Sequence, residues 1–84
     1  MDPSHTATYR KLIAVLEQYG VRERYVSEYR TLNTTIMWDV ALPFPALSAI
    51  RDSLWDMFGG TSVPDDWDEM EVWELVEYID EHPE

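Results

Sequence analysis

Few residues of this chain have reactive side chains, and most of those are carboxylates. One serine, Ser53, stands in the stretch Asp52-Ser53-Leu54. Two histidines, His5 and His82, lie near opposite ends of the sequence, and no cysteine is present to pair with either. That excludes thiolate catalysis, disulfides and thiolate metal sites. No glycine-rich phosphate loop, nucleophile elbow or His/Asp/Glu set with metal-ligand spacing occurs. The run Pro64-Asp65-Asp66-Trp67-Asp68-Glu69 gathers carboxylates that would hold calcium only weakly. It lacks the glycine-centred loop of an EF-hand, and its acids are better suited to capping a helical turn. The chain is therefore read as a non-enzyme that uses no cofactor and no metal.

With catalysis set aside, charge is the chemistry that remains. Seventeen Asp and Glu oppose six Lys and Arg, for a net charge of −11 over 84 residues. Residues 1–51 hold all six basic residues against five acids, a balance of +1, while residues 52–84 hold twelve acids and no Lys or Arg, a balance of −12. A field of that sign repels nucleic acid and anionic membranes and attracts basic protein surfaces. Solubility, or adaptation to a salty cytoplasm, produces the same composition. The basic residues Arg10, Lys11, Arg22, Arg24 and Arg30 are interleaved with Glu17, Glu23 and Glu28. That pattern predicts salt bridging within the molecule rather than the cationic groove that single-stranded nucleic acid requires.

The elements that must position these groups are helical. Tyr9, Leu12, Ile13, Leu16 and Tyr19 recur at helical spacing, with Ser4 or Thr6 as the cap and Gly20-Val21 as the stop. Residues 22–32 suit either a helix or a loop with one helical turn. Pro43 and Pro45 exclude a helix interior in "NTTIMWDVALPFP", which is expected to be an ordered, buried loop. Pro45 opens the next helix, with Leu47, Ile50, Leu54, Met57 and Phe58 as its buried face and Gly59-Gly60 as its end. Asp65 or Asp66 caps a short helical turn. Val72, Trp73, Leu75, Val76 and Ile79 then mark a last helix that stops before Pro83.

Residues 1–84 make one domain, too small to bury more than about 60% of its unfolded surface. A hydrophobic share of 45%, with four Trp and five Tyr, is enough for a packed core and argues against disorder. No apolar run approaches the length of a membrane span, and no basic-then-apolar leader is seen, so a cytoplasmic location is expected. The fold class expected is all-α, with three main helices and one short helix.

Two stretches carry a resemblance. "LEQYGVRERYV" (16–26) and "MFGGTSVPDDWDEMEVWELVEYIDEHP" (57–83) resemble the end of the first helix and the C-terminal third of acyl and peptidyl carrier proteins. In order and spacing the likeness spans nearly the whole chain. It implies a small carrier-like bundle with a phosphopantetheine serine at the start of the second helix, about four turns before the aromatic that ends it. Counting back from Phe58 reaches Phe44, between Pro43 and Pro45, where no Ser or Thr stands. The Gly-x-Asp-Ser-Leu signature is missing. Ser53 is no substitute, because it falls in the second half of its helix, between Asp52 and Asp56. A phosphodiester is stabilised at a helix N-terminus and disfavoured toward the other end.

The functional expectation is a protein-binding module that docks on a basic surface of a partner, nucleic-acid-binding proteins included. It would act as an inhibitor or decoy in the manner of nucleic-acid mimics, by analogy of size and charge with anti-CRISPR and immunity proteins. The residues expected to bind are Asp56, Asp65, Asp66, Asp68, Glu71, Glu74, Glu77, Asp80 and Glu81, with Trp55 and Trp67 as exposed anchors. Direct contact with nucleic acid or membrane is not expected. The alternatives are a carrier-like module in lipid or polyketide metabolism and an acidic domain with a structural duty.

Overall fold

The computed structural model describes residues 6–82. The protein is an all-α bundle: α1 (Ala7–Gln18), a short α2 (Leu32–Thr34) running on into a π turn (Thr35–Asp39), α3 (Pro45–Phe58) and α4 (Val72–Glu81). Among the described residues no β-strand forms, and Thr31 and Glu71 make one isolated antiparallel bridge.

Helix α1 is central and packs on both α3 and α4. Thr6 caps it by accepting the Tyr9 N–H at 3.0 Å, while Ser4 lies outside the described residues. Tyr9, Leu12, Ile13, Val15 and Leu16 are its buried face. At its end the Val21 N–H donates to the Leu16 carbonyl at 3.0 Å and the Gly20 N–H to the Glu17 carbonyl at 3.1 Å. With Gly20 at φ 87°, this is a Schellman stop, and it folds Val21 into the core as the sequence predicts.

Residues 22–32 take the loop form, with one 3₁₀ turn at Glu23–Tyr25. The segment expected to be a buried loop is helical instead in its first half. Thr31 caps α2 by accepting the Thr34 N–H at 3.3 Å, and Leu32, Thr35 and Ile36 fall on one buried side. Their strand propensity is overridden by a cap and an i, i+3, i+4 apolar face. The buried Thr35 hydroxyl is satisfied by donating to the carbonyls of Thr31 (3.3 Å) and Tyr25 (3.4 Å). The π turn closes with the Val40 N–H on the Thr35 carbonyl at 3.0 Å, and Ala41 then turns the chain at φ 57°.

Pro45 occupies the first turn of α3, where its missing N–H costs nothing. Ile50 and Leu54 are fully buried, with Leu47, Trp55 and Phe58 half-buried around them. Met57, expected inward, is 42% exposed. At 100° per residue the buried stripe is centred on Leu54, Leu47 and Phe58, which leaves Met57 at one edge and Trp55 at the other.

The short helical turn expected after Pro64 is a pair of turns, Trp67 N–H to Pro64 carbonyl at 3.2 Å and Glu69 N–H to Asp66 carbonyl at 2.9 Å. The short helix of the bundle is therefore α2. Helix α4 buries Val72, Leu75, Val76 and Ile79, and no side chain caps its start. Its first free N–H groups are taken by loop carbonyls: Val72 donates to Arg30 at 3.1 Å and Trp73 to Glu28 at 3.0 Å.

Candidate functional site: an acidic surface

The outer side of α4 carries four of the acids of residues 52–84. With Val72, Leu75, Val76 and Ile79 inward, Glu74, Glu77, Asp80 and Glu81 are all exposed. Glu74, Glu77 and Glu81 border a shallow recess of about 180 Å³ together with Met70, Trp73 and Tyr78. Those three apolar side chains are half-buried, so the recess has carboxylates around a partly aromatic floor. Carboxylates three and four residues apart on a helix lie about 5–6 Å from one another and repel by a few tenths of a kcal/mol per pair. No Lys or Arg lies in residues 52–84 to relieve them. Such an arrangement favours an incoming guanidinium or ammonium group, whose stem lies on the rings while its charge meets the carboxylates.

The remaining predicted residues divide by their partners. Asp56, Asp65 and Asp66 are exposed. Asp68 is half-buried and structural: its carboxylate accepts the Asn33 side-chain amide at 3.0 Å, and its carbonyl accepts the Asn33 N–H at 2.7 Å. Glu71 is half-buried at the head of α4 and accepts the Trp73 indole N–H at 3.1 Å. Asp80 accepts a hydrogen bond from the Thr8 hydroxyl, which ties α4 to α1. Among the described residues no group of three His, Cys, Asp or Glu is placed to hold a metal ion.

The aromatic anchors differ from expectation. Trp67 is 3% exposed and belongs to the core, because the turn at residues 64–69 folds its ring inward and leaves Asp65 and Asp66 outside. Trp55 is half-buried beneath the Arg51 guanidinium, 4.9 Å from the ring centre. The most exposed aromatics are Trp38 (78%), Phe44 (72%) and Tyr29 (71%). Phe44 between two prolines was the legible signal, since a ring there has no helix or strand to fold it back. Trp38 carried none, because its exposure depends on α2, which the sequence pattern conceals.

Ser53 is half-buried on α3, and its hydroxyl lies 2.6 Å from that of Tyr19, which also donates to the Ala49 carbonyl at 3.1 Å. The basic residues are paired in part within the molecule. Arg10 meets Glu23 through two bonds of 3.1 Å, Arg30 meets Asp39 at 2.9 Å, and Arg24 lies 5.0 Å over the Tyr25 ring. The hydrogen bond and charge of Glu23 raise the Arg10 pKa above its ordinary value. No helix among the described residues is long and apolar enough to cross a membrane.

The fold and surface define a small all-α domain with one strongly acidic half. Comparison with protein-family models, curated proteins and solved structures finds no match to this chain.

Proposed function

We propose that this protein is a non-enzymatic binding module whose acidic half docks on a basic surface of a partner protein, as an inhibitor or decoy that occupies a nucleic-acid-binding site. The observation that carries the reading is the α4 recess, where Glu74, Glu77 and Glu81 border Met70, Trp73 and Tyr78 with no Lys or Arg nearby in sequence. Solubility alone asks for scattered charge of both signs, not like charges stacked along one helix beside half-buried rings. Acids at helical spacing present charge on the scale of phosphates along a strand, and their summed field steers a cationic surface toward them.

Charge reversal tests the proposal. A Glu74→Lys, Glu77→Lys, Glu81→Lys variant changes the net charge from −11 to −5 without touching a buried residue. Capture from a native lysate with the unaltered chain is expected to retain basic proteins that elute as salt rises, and the variant is expected to lose them. Retention of the same proteins by the variant at low salt would overturn the reading.

A further inference from the structure

We infer that the acidic docking surface is anchored by the exposed rings of Trp38 and Phe44, and that its partner is a basic protein surface with apolar side chains set among its lysines and arginines. The inference rests on the docking function proposed above and adds an apolar half to that contact.

A single exposed apolar side chain is ordinary. Here Trp38, Phe44 and Tyr29, each more than 70% exposed, belong to segments that the structure ties together. The Arg30–Asp39 ion pair at 2.9 Å joins the residues that follow Tyr29 and Trp38. The Leu42 N–H donates to the Ile36 carbonyl at 3.0 Å, which holds the chain between Trp38 and Phe44 against the π turn. Pro43 and Pro45 fix the backbone on both sides of Phe44. Ala41, at φ 57°, sits in the left-handed region that a residue with a Cβ rarely adopts. Such outliers cluster at binding sites, where the surrounding structure holds them in place. The rings are thus displayed on a preset frame, which lowers the ordering cost of a contact.

The chemistry of the occupant follows from what lies beside that frame. Asn33 of α2 is bonded twice to Asp68, at 2.7 and 3.0 Å, so the helix that leads to Trp38 is fixed to the acidic turn. The first turns of α3, which Phe44 precedes, line a recess with that same turn through Leu47, Ser48 and Arg51 facing Asp65 and Asp68. Exposed Asp65 and Asp66 therefore flank the elements that carry the rings. Arg30 and Asp39 neutralise each other, and the turn beside α3 adds the exposed carboxylates of Asp65 and Asp66. A cationic partner with apolar contacts complements both features, with aromatic anchors at the centre and charge pairs at the rim. A second copy of the chain does not, because it brings another −11 to the contact.

Two synthetic helical peptides of equal length and charge serve as probes, one of Lys and Leu with the leucines on one face, the other with each Leu replaced by Ser. Binding to the whole chain at low salt is read by fluorescence anisotropy of the labelled peptide. The Lys/Leu peptide is expected to bind about tenfold or more tightly than the Lys/Ser peptide. A Trp38→Ser, Phe44→Ser double variant is expected to bring that ratio to about one while its Lys/Ser affinity is unchanged. Circular dichroism checks that the variant keeps its helices, and the single variants replace it if it does not. A ratio near one for the unaltered chain, or an undiminished ratio in the variants, overturns the anchor and leaves the docking function standing. Failure of both peptides to bind overturns the docking function and the anchor with it. Sedimentation that finds a dimer abolished by the double variant assigns the rings to self-association and also overturns the inference.

Discussion

Ser53 sets a residue type and its neighbours against its place in the helix. Its triplet is that of a modified serine, yet its hydroxyl is engaged with Tyr19 at 2.6 Å on the second half of α3. Incubation with a phosphopantetheinyl transferase and coenzyme A is expected to give no mass gain, and a gain on any serine would favour a carrier-type role. Ser53→Ala is expected to cost no more than about 1 kcal/mol, because Tyr19 keeps its bond to the Ala49 carbonyl. Backbone conformation offers a paired test of opposite sign. Gly20 and Ala41 both have positive φ, 87° and 57°. A Cβ at Gly20 would meet nothing within 4 Å, so Gly20→Ala is expected to lose only the conformational term, about 1 kcal/mol. Ala41→Gly relieves the same kind of strain and is expected to raise stability by up to about 1 kcal/mol. Urea unfolding of the two variants reads both effects.

At the scale of elements, α1, α3 and α4 were legible because each carries its own apolar period. Thr6 and Gly20 mark the ends of α1, and Pro45 and Gly59 those of α3, at positions the chain itself announces. Helix α2 was not legible. Thr34 of α2 and Thr35 and Ile36 of the π turn have strand propensity, and contacts distant in sequence hold the segment: Asn33 with Asp68, and Thr35 with the Tyr25 carbonyl. The head of α4 depends on the same region, since its first N–H groups find the carbonyls of Glu28 and Arg30. The candidate site divides the same way. Glu74, Glu77 and Glu81 followed from helical periodicity, whereas Trp67 inside and Trp38 outside depend on how residues 31–41 and 64–71 meet. Thr31→Ala removes the α2 cap and is expected to cost about 1 kcal/mol. Asn33→Ala removes the side-chain bond to Asp68 and leaves the backbone one, at a similar cost, and hydrogen exchange should then quicken at the Val72 and Trp73 amides before those of α1, because the Arg30 and Glu28 carbonyls are held through the same segment. Exchange that rises equally in α1 would show instead that the molecule opens only as a whole.

The whole molecule is small relative to the reach of its own field. Its principal extents are 30 × 25 × 19 Å, and it carries a net charge of −11. At an ionic strength of about 0.01 M the screening length is about 30 Å, so every carboxylate feels nearly every other; at about 0.15 M it falls to about 8 Å, and only neighbours within a helix turn or two interact. The ion pairs Arg10–Glu23 and Arg30–Asp39 are exposed enough to contribute little, so salt weakens few attractions while it relieves extensive repulsion. Added salt is therefore expected to raise the thermal midpoint, most steeply below about 0.1 M. The charge-reversed variant of α4, with its net charge of −5, should show a shallower rise. Binding to a cationic partner should respond in the opposite direction and weaken as salt increases, because the same screening removes the attraction that steers the encounter. Stability rising and affinity falling across one salt series would trace both to the same acids. A thermal midpoint that stays flat or falls over that range would mean that the acidic half is relieved within the fold.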